Sequence, residues 1–203
     1  MSTYIYGAGG HGKVVFHTFA SGGKLIQAFI DDKANRTLCD VPVLSPSDMR
    51  VVFPCSVHFA IGNNPIRHHL QTTWQRRGAT AETALHREAT IYPTATIGAG
   101  SLVAAGVVVG PDAKIGEGCI VNHNATVEHD CVIGDFCHIA PAATLCGGVT
   151  LGTQCLVGAG ATILPYLVIG DFVTIGAGAV ITDNLPDGVT VIGCPARQLG
   201  QND

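Results

Sequence analysis

The sequence predicts two domains of unlike architecture, an α/β half domain over residues 1–86 and a β-solenoid over residues 87–203. Three observations lead there. Every sixth residue from Ile91 to Ile181 is aliphatic without a slip, beginning Ile91, Ile97, Val103 and Val109. Four places after each of these stands a second column of small or aliphatic residues, such as Ser101, Cys119, Ala125 and Val149. Ahead of residue 86 the pattern changes to a glycine-rich stretch and alternating strand and helix segments, which also hold most of the basic residues and the only Trp.

Ile, Leu and Val make up about a quarter of the chain, so sixteen consecutive aliphatics in one phase are not chance. An α-helix of period 3.6 cannot keep positions i and i+4 of a six-residue repeat on one stripe over that length, whereas short strands joined by corners can. Three repeats then make one triangular turn of eighteen residues, with turns stacked about 4.8 Å apart. Gly follows the aliphatic in eight of the sixteen repeats, Gly98, Gly110 and Gly116 among them, which suits a corner at positive φ. Outward-facing Leu102, Val108 and Ile120 predict more apolar surface than a monomer tolerates, and hence a homotrimer.

Composition narrows the function classes. A net charge of -4 without any basic run gives no footing for nucleic acid or an anionic membrane surface. Met1–Tyr6 lacks a charged signal region, and the apolar runs are too short or too broken by Gly to insert in a bilayer, so a cytoplasmic chain is expected. Its eight Cys are then expected as thiols. Cys119, Cys131, Cys137 and Cys155 fall in the inward small-residue column as compact fillers, and Cys146 beside a Gly pair is the one expected to be exposed.

At the N-terminus Thr3–Tyr6 reads as a strand, followed by a Gly loop, a helix through about Ala20, and a strand from Leu25 to Ile30 that ends in Asp31-Asp32. Gly7, Gly9 and Gly12 have the GxGxxG spacing, and Asp31 lies nineteen residues after Gly12. Such a loop lets the backbone approach a diphosphate at a helix N-terminus, in a Rossmann-like half domain. About eighty residues supply only one half of a doubly wound fold, which weighs against NAD. A third strand, Val57–Ile61, stops at Gly62-Asn63-Asn64-Pro65, and a helix runs from Ile66 to Arg77 with His68 and His69 on its solvated side. Gly62 therefore stands at a strand's C-terminal end, where ligands of parallel sheets sit. Pro42 to Pro54 is too short and Pro-rich for a crossover helix, Ala81–Leu85 reads as the last strand, and His86–Thr90 links to the solenoid.

Within the solenoid, Asn122-His123-Asn124 and Glu128-His129-Asp130 fill two successive corners where other repeats mostly carry Gly, Ala or Pro. A carboxylate beside an imidazole sets its tautomer and raises its basicity for general-base work, and here either Glu128 or Asp130 could do so. Eighteen residues after His129 comes Gly147, at the same corner one turn away, about 5 Å distant. A base and an unobstructed N–H separated by one rung suit attack on a thioester carbonyl. His138, nine residues on from His129, belongs to another edge of the same turn.

These motifs, IYGAGGHGK, FIDD, AIGNN, ATVEHDCVIGDFCHIAP and VIGCPAR, span nearly the whole chain. Together they resemble the bacterial sugar-nucleotide acyltransferases with hexapeptide repeats, especially the UDP-4-amino-sugar N-acetyltransferases of the bacillosamine pathway. The resemblance implies a left-handed parallel β-helix, a homotrimer, and acetyl-CoA held in the cleft between neighbouring solenoids. It places a UDP-amino-sugar on Gly9, Gly10, His11, Asp31, Asp32 and Gly62. It assigns the general base to His129, with Asp130 where relatives carry Glu. Asn122, His138 and Gly147 correspond to residues lining the amine and acetyl-CoA, and Ala159 and Ala177 to backbone contacts with CoA. The expected reaction is direct acetyl transfer from acetyl-CoA to the sugar amine, without a metal. O-acetylation, as in sialic acid O-acetyltransferases, stays open, as do a γ-type carbonic anhydrase using His123, His129 and His138, and a NAD-dependent oxidoreductase using the Gly loop alone.

Overall fold

The computed structural model describes residues 2–48 and 50–200. In the N-terminal part, strands β1 (Thr3–Tyr6), β2 (Ala28–Ile30), β3 (Arg36–Leu38), β4 (Val41–Leu44), β5 (Cys55–Phe59) and β6 (Ala79–Ala81) alternate with helices α1 (Gly10–Ser21) and α2 (Asn64–Arg76). They form one sheet in the order β3-β4-β2-β1-β5-β6, parallel except for the β3–β4 hairpin. That hairpin was not legible, because Cys39 and Asp40 reach the positive φ of its turn without the glycines that mark such turns. Buried β1, β2 and β5 read as short apolar runs, as strands covered on both faces do.

Helix α1 opens at Gly9 and ends at Gly22 and Gly23, burying Val15, Thr18 and Phe19 on one stripe. Helix α2 is capped by Asn63, whose side chain accepts the Ile66 N–H at 3.0 Å, with Pro65 in the first turn. The strand expected over Ala81–Leu85 is two strands. β6 ends at Ala81, and Ala84–Leu85 pairs in parallel with Leu102–Val103, so the solenoid begins there.

From Ala84 the chain winds as two-residue strands joined by corners, each strand pairing in parallel with the one eighteen residues later, as Ile120 does with His138 and Val132 with Thr150. Three sheets result. The first face runs from Ala84–Leu85 through Leu102, Ile120, His138 and Leu156 to Thr190–Ile192 and Arg197–Gln198. The second carries Thr90–Ile91 to Val180–Ile181, and the third Thr96–Ile97 to Val168–Ile169. Both predicted inward columns merge into one buried core.

The column reserved for small residues also satisfies the corners. Ser101, Cys119, Cys137 and Cys155 stack one rung apart, and their side chains donate to the carbonyls of Gly116, Gly134, Gly152 and Gly170 at 2.9, 3.2, 2.9 and 3.0 Å. Cys146 is only half-buried, and the exposed thiol is Cys194.

The corner glycines serve a different purpose from the one expected. Positive φ falls two residues further on, at Gly100, Gly118 and Gly148 and at Asp112, Asn124, Asp130 and Tyr166. The glycine directly after each aliphatic lacks positive φ and is required by stacking: a Cβ on Gly134 would lie 2.7 Å from the Gly152 carbonyl carbon one rung away.

Leu102 and Ile120, expected as exposed surface, are 0% and 1% exposed. They lie in a cluster with Ile5, Val15, Phe29 and Ala60, because the N-terminal domain covers the lower rungs of the first face. Exposed large apolar side chains of the solenoid include Val132, Leu164, Tyr166, Val168 and Phe172, and on the first face Leu85, Leu156 and Ile192.

Candidate active site

The Glu128-His129-Asp130 corner joins the second face to the third, which puts it on the edge opposite the first face. Asp130 takes the left-handed corner position at φ 58°, and its Oδ2 lies 2.7 Å from His129 Nδ1, which leaves Nε2 free of that contact. Of the two flanking carboxylates it is therefore Asp130 that touches the imidazole. The charge of Glu128 instead joins burial in pushing the thiol of Cys146 upward.

One rung above, Gly147 is buried with the imidazole against it, at the spot a Cβ would occupy. The Gly148 N–H donates to the His129 carbonyl at 2.9 Å, which locks the two rungs in register. The Gly147 N–H has no acceptor among the described residues. This edge thus offers one ring nitrogen and one free amide side by side.

The second group of predicted residues meets on the first face. Here β1 and β5 lie side by side, with the Ala60 N–H donating to the Tyr6 carbonyl at 2.8 Å, so the loops after them abut. Gly7, at φ 103°, is pressed against the Ala60 carbonyl, and a Cβ on Gly12 would strike the Gly7 carbonyl. Gly9 and Gly10 face open space, leaving the backbone at the start of α1 accessible. The His11 ring stands 6.5 Å from that of His138, whose Nε2 is 3.3 Å from Asn122 Nδ2.

Burial pushes His138 down to about 4, helped by the charge of Arg67 and opposed by a hydrogen bond to the Gly62 backbone. His11 is likewise pushed down to about 4, by burial first and then by His58, His138, Arg67 and His123. Both imidazoles are neutral near pH 7, and His11 Nε2 is buried without a partner among the described residues.

The acidic pair divides its labour. Asp31 Oδ2 accepts the Ala8 N–H at 2.8 Å and Oδ1 the Lys33 N–H at 2.9 Å, so this carboxylate braces the Gly loop. Burial pushes it up, but those two N–H groups and the charges of Arg36 and Lys33 outweigh burial and hold it below the usual range. Asp32 is exposed and carries no such bond.

Ala159 and Ala177 are exposed at the edge between the first and second faces, stacked over Pro141 and His123. His68 is exposed, yet its ring lies 4.5 Å from that of Phe136. A groove of about 290 Å³ opens directly above His138, between Gly62–Pro65 and Gln154, Leu156, Phe172 and Thr174. A larger hollow of about 650 Å³ among Ser2, Thr3, Leu25, Ile26 and Gln27 lies at the N-terminal strand ends, away from these groups.

Sequence reasoning missed Asn64 and Arg67. Arg67 is 1% exposed and binds Gly118, Phe136 and Cys137 of the solenoid, while Asn64 Nδ2 donates to the carbonyls of Gln154 and Cys155 at 3.0 and 2.9 Å. The available signal was spacing, since Asn64, Arg67, Gln71 and Trp74 form one buried helical stripe.

Comparison with known proteins matches both parts of the chain. Residues 3–73 match the PglD N-terminal domain, and residues 94–129, 112–147 and 130–165 match the bacterial transferase hexapeptide of six repeats. No curated protein matches the chain. Among solved structures, the acetyltransferase domain of PglB from Neisseria gonorrhoeae FA1090 is 37% identical with a TM-score of 0.92, over 98% of this chain and 99% of that one. A point mutant of perosamine N-acetyltransferase from Caulobacter crescentus, in complex with CoA and GDP-perosamine, is 35% identical with a TM-score of 0.95, over 99% and 98%. WeeI from Acinetobacter baumannii AYE is 34% identical with a TM-score of 0.91, over 98% and 100%.

Proposed function

Because the chain belongs to the hexapeptide-repeat sugar-nucleotide acyltransferases, and is an acetyltransferase that uses acetyl-CoA on an amino-sugar, we propose that it acetylates the 4-amino group of a UDP-linked 4-amino-4,6-dideoxy sugar by direct attack. The observation that carries the mechanism is the edge where His129 Nε2 and the free Gly147 N–H meet one rung apart, with Asp130 on the other ring nitrogen. Asp130 accepts from Nδ1–H, so Nε2 is left as the lone-pair base. The amine nitrogen adds to the thioester carbon while Nε2 takes its proton, and the Gly147 N–H stabilises the oxyanion. Collapse breaks the C–S bond, and the proton on Nε2 passes to the departing CoA sulfur.

The nucleotide end would lie on the first face, with its diphosphate at Gly9, Gly10 and His11, its base or ribose at Asp32, and its sugar leading past Gly62, Asn122 and His138. Asp31 would contribute by holding the loop. Ala159 and Ala177 would present backbone to CoA. These groups and His129 occupy opposite sides of one solenoid, so a complete site takes its base from one protomer and its sugar-binding groups from the next. A homotrimer provides that, and the exposed Val132, Leu164, Tyr166 and Val168 near the His129 edge are the apolar surface it would cover.

The test is an assay of acetyl-CoA with a panel of UDP- and GDP-linked amino-sugars and their hydroxyl analogues. Acetylation of the UDP-4-amino-sugar in preference to the others is expected. Preference for a hydroxyl analogue would mean O-acetylation, and preference for the GDP-sugar would overturn the assignment of the base.

A further inference from the structure

Arg67 is a buried cation without a counter-ion. Its guanidinium makes six hydrogen bonds, all to neutral oxygens: Nε to Gly118 at 2.7 Å, Nη1 to Ile61 at 2.8 Å and Gly62 at 3.4 Å, and Nη2 to Phe136 at 2.8 Å, Asn64 Oδ1 at 2.9 Å and Cys137 at 3.3 Å. Among the described residues the ion pairs lie elsewhere, at Lys24–Glu82, Arg50–Asp48 and His129–Asp130. Burial pushes Arg67 down to about 10, against the opposing influence of the Cys119 and Cys137 thiols, so it stays charged at neutral pH. A charge taken from water without an opposite charge is costly, and carbonyl dipoles offset only part of that cost. An anion bound nearby would offset the remainder.

The geometry shows where. Arg67 holds the carbonyls of Ile61 and Gly62, and in a planar trans peptide the N–H points opposite to the C=O. The N–H groups of Gly62 and Asn63 are thus turned away from the guanidinium, at the mouth of the groove above His138, without acceptors among the described residues. Successive free N–H groups attract anions, and a cation bound to their carbonyls polarises them further. The Gly9–His11 start of α1 lies alongside, because the loops after β1 and β5 touch. Of the other ionisable groups here, His11 and His138 are neutral at neutral pH and Asp31 is committed to the loop. Arg36, whose Nη2 donates to the Ala8 carbonyl at 2.8 Å, is a second cation beside that loop's Asp31 brace.

We propose that Arg67 is a positioning residue for nucleotide recognition, supplying the positive field for the substrate's diphosphate without touching it, through the Ile61–Gly62 and Gly62–Asn63 peptides. This rests on the reading of the chain as a sugar-nucleotide acetyltransferase. It also explains why the α2 stripe facing the solenoid carries a guanidinium where an apolar residue would pack at lower cost.

The experiment titrates wild type, Arg67→Met, Arg67→Lys and Asn64→Asp with UDP or GDP, whichever wild type binds, and with the matching monophosphate. Arg67→Met removes the charge at similar volume, Arg67→Lys keeps it with fewer donors, and Asn64→Asp neutralises it in place. Arg67→Met and Asn64→Asp should each weaken the diphosphate about tenfold more than the monophosphate, Arg67→Lys should stay within about threefold of wild type, and acetyl-CoA affinity should not change. Equal effects on both nucleotides in Asn64→Asp, or a loss in Arg67→Lys as large as in Asn64→Asp, would reduce Arg67 to a structural clamp even if Arg67→Met failed to fold. Wild type that binds neither diphosphate would sink the nucleotide-sugar reading itself.

Discussion

The His129 imidazole lies against Gly147 on the neighbouring rung, in the space a Cβ would fill. In the proposed mechanism the contact sets the base beside the oxyanion-binding amide, and it leaves no room for a side chain. Gly147→Ala should therefore displace the ring and lower kcat by roughly 100-fold, the usual contribution of a positioned base, while the melting temperature moves little. Full turnover in that variant would show that the ring's position is immaterial.

Removing the base itself should have a similar or larger effect. His129→Ala is expected to reduce kcat about 100-fold or more with CoA affinity nearly unchanged, and Asp130→Asn should cost less because an amide oxygen can still accept from Nδ1–H. Steady-state kinetics with calorimetric CoA titrations would check both.

The acidic pair should separate in its effects. Asp31→Ala releases the Ala8 and Lys33 N–H groups and is expected to lose about 1–3 kcal/mol of stability along with nucleotide binding. Asp32→Ala should weaken nucleotide binding alone. Denaturant midpoints beside nucleotide titrations would reveal any reversal of that order.

Stability should decline in acid through buried histidines. His58 is fully buried, donates from Nδ1 to the Glu82 carbonyl at 2.8 Å, and is pushed down to about 4 by burial, a shift that the Glu82 hydrogen bond opposes and the charge of Arg67 reinforces. Above pH 6.5 the ring is neutral both folded and unfolded. Between pH 6.5 and about 4 only the unfolded chain takes up the proton, so stability falls as pH falls across that window. The loss from His58 is on the order of 3 kcal/mol by pH 4, and His11 and His138 act in the same direction. Urea midpoints at pH 5 and 7.5 should differ in wild type and differ less in His58→Phe.

If each site is shared between protomers, mixing inactive variants should restore activity. His129→Ala chains retain His138, and His138→Ala chains retain His129, so mixed trimers contain some sites with both. Co-refolded mixtures are expected to exceed the sum of the two parents. Activity equal to that sum, or a sedimentation mass of one chain, would confine the site to a single protomer.

The sequence by itself determined the solenoid's period and its inward columns, though not which corner residue takes positive φ. The six-residue period required eighteen-residue rungs, the rungs placed His129 beside Gly147, and the Gly loop announced the start of α1; each of these depends on local spacing. Tertiary structure decided the rest. Leu102 and Ile120 changed from surface to interface because the N-terminal domain lies on the first face, which no period within the solenoid encodes. Asp31 became a brace once β2 met the loop after β1, a contact spanning 23 residues. Arg67 found its solenoid partners 51 to 70 residues away. A buried polar group takes its meaning from whichever carbonyls and charges surround it, and only the closed fold brings those together.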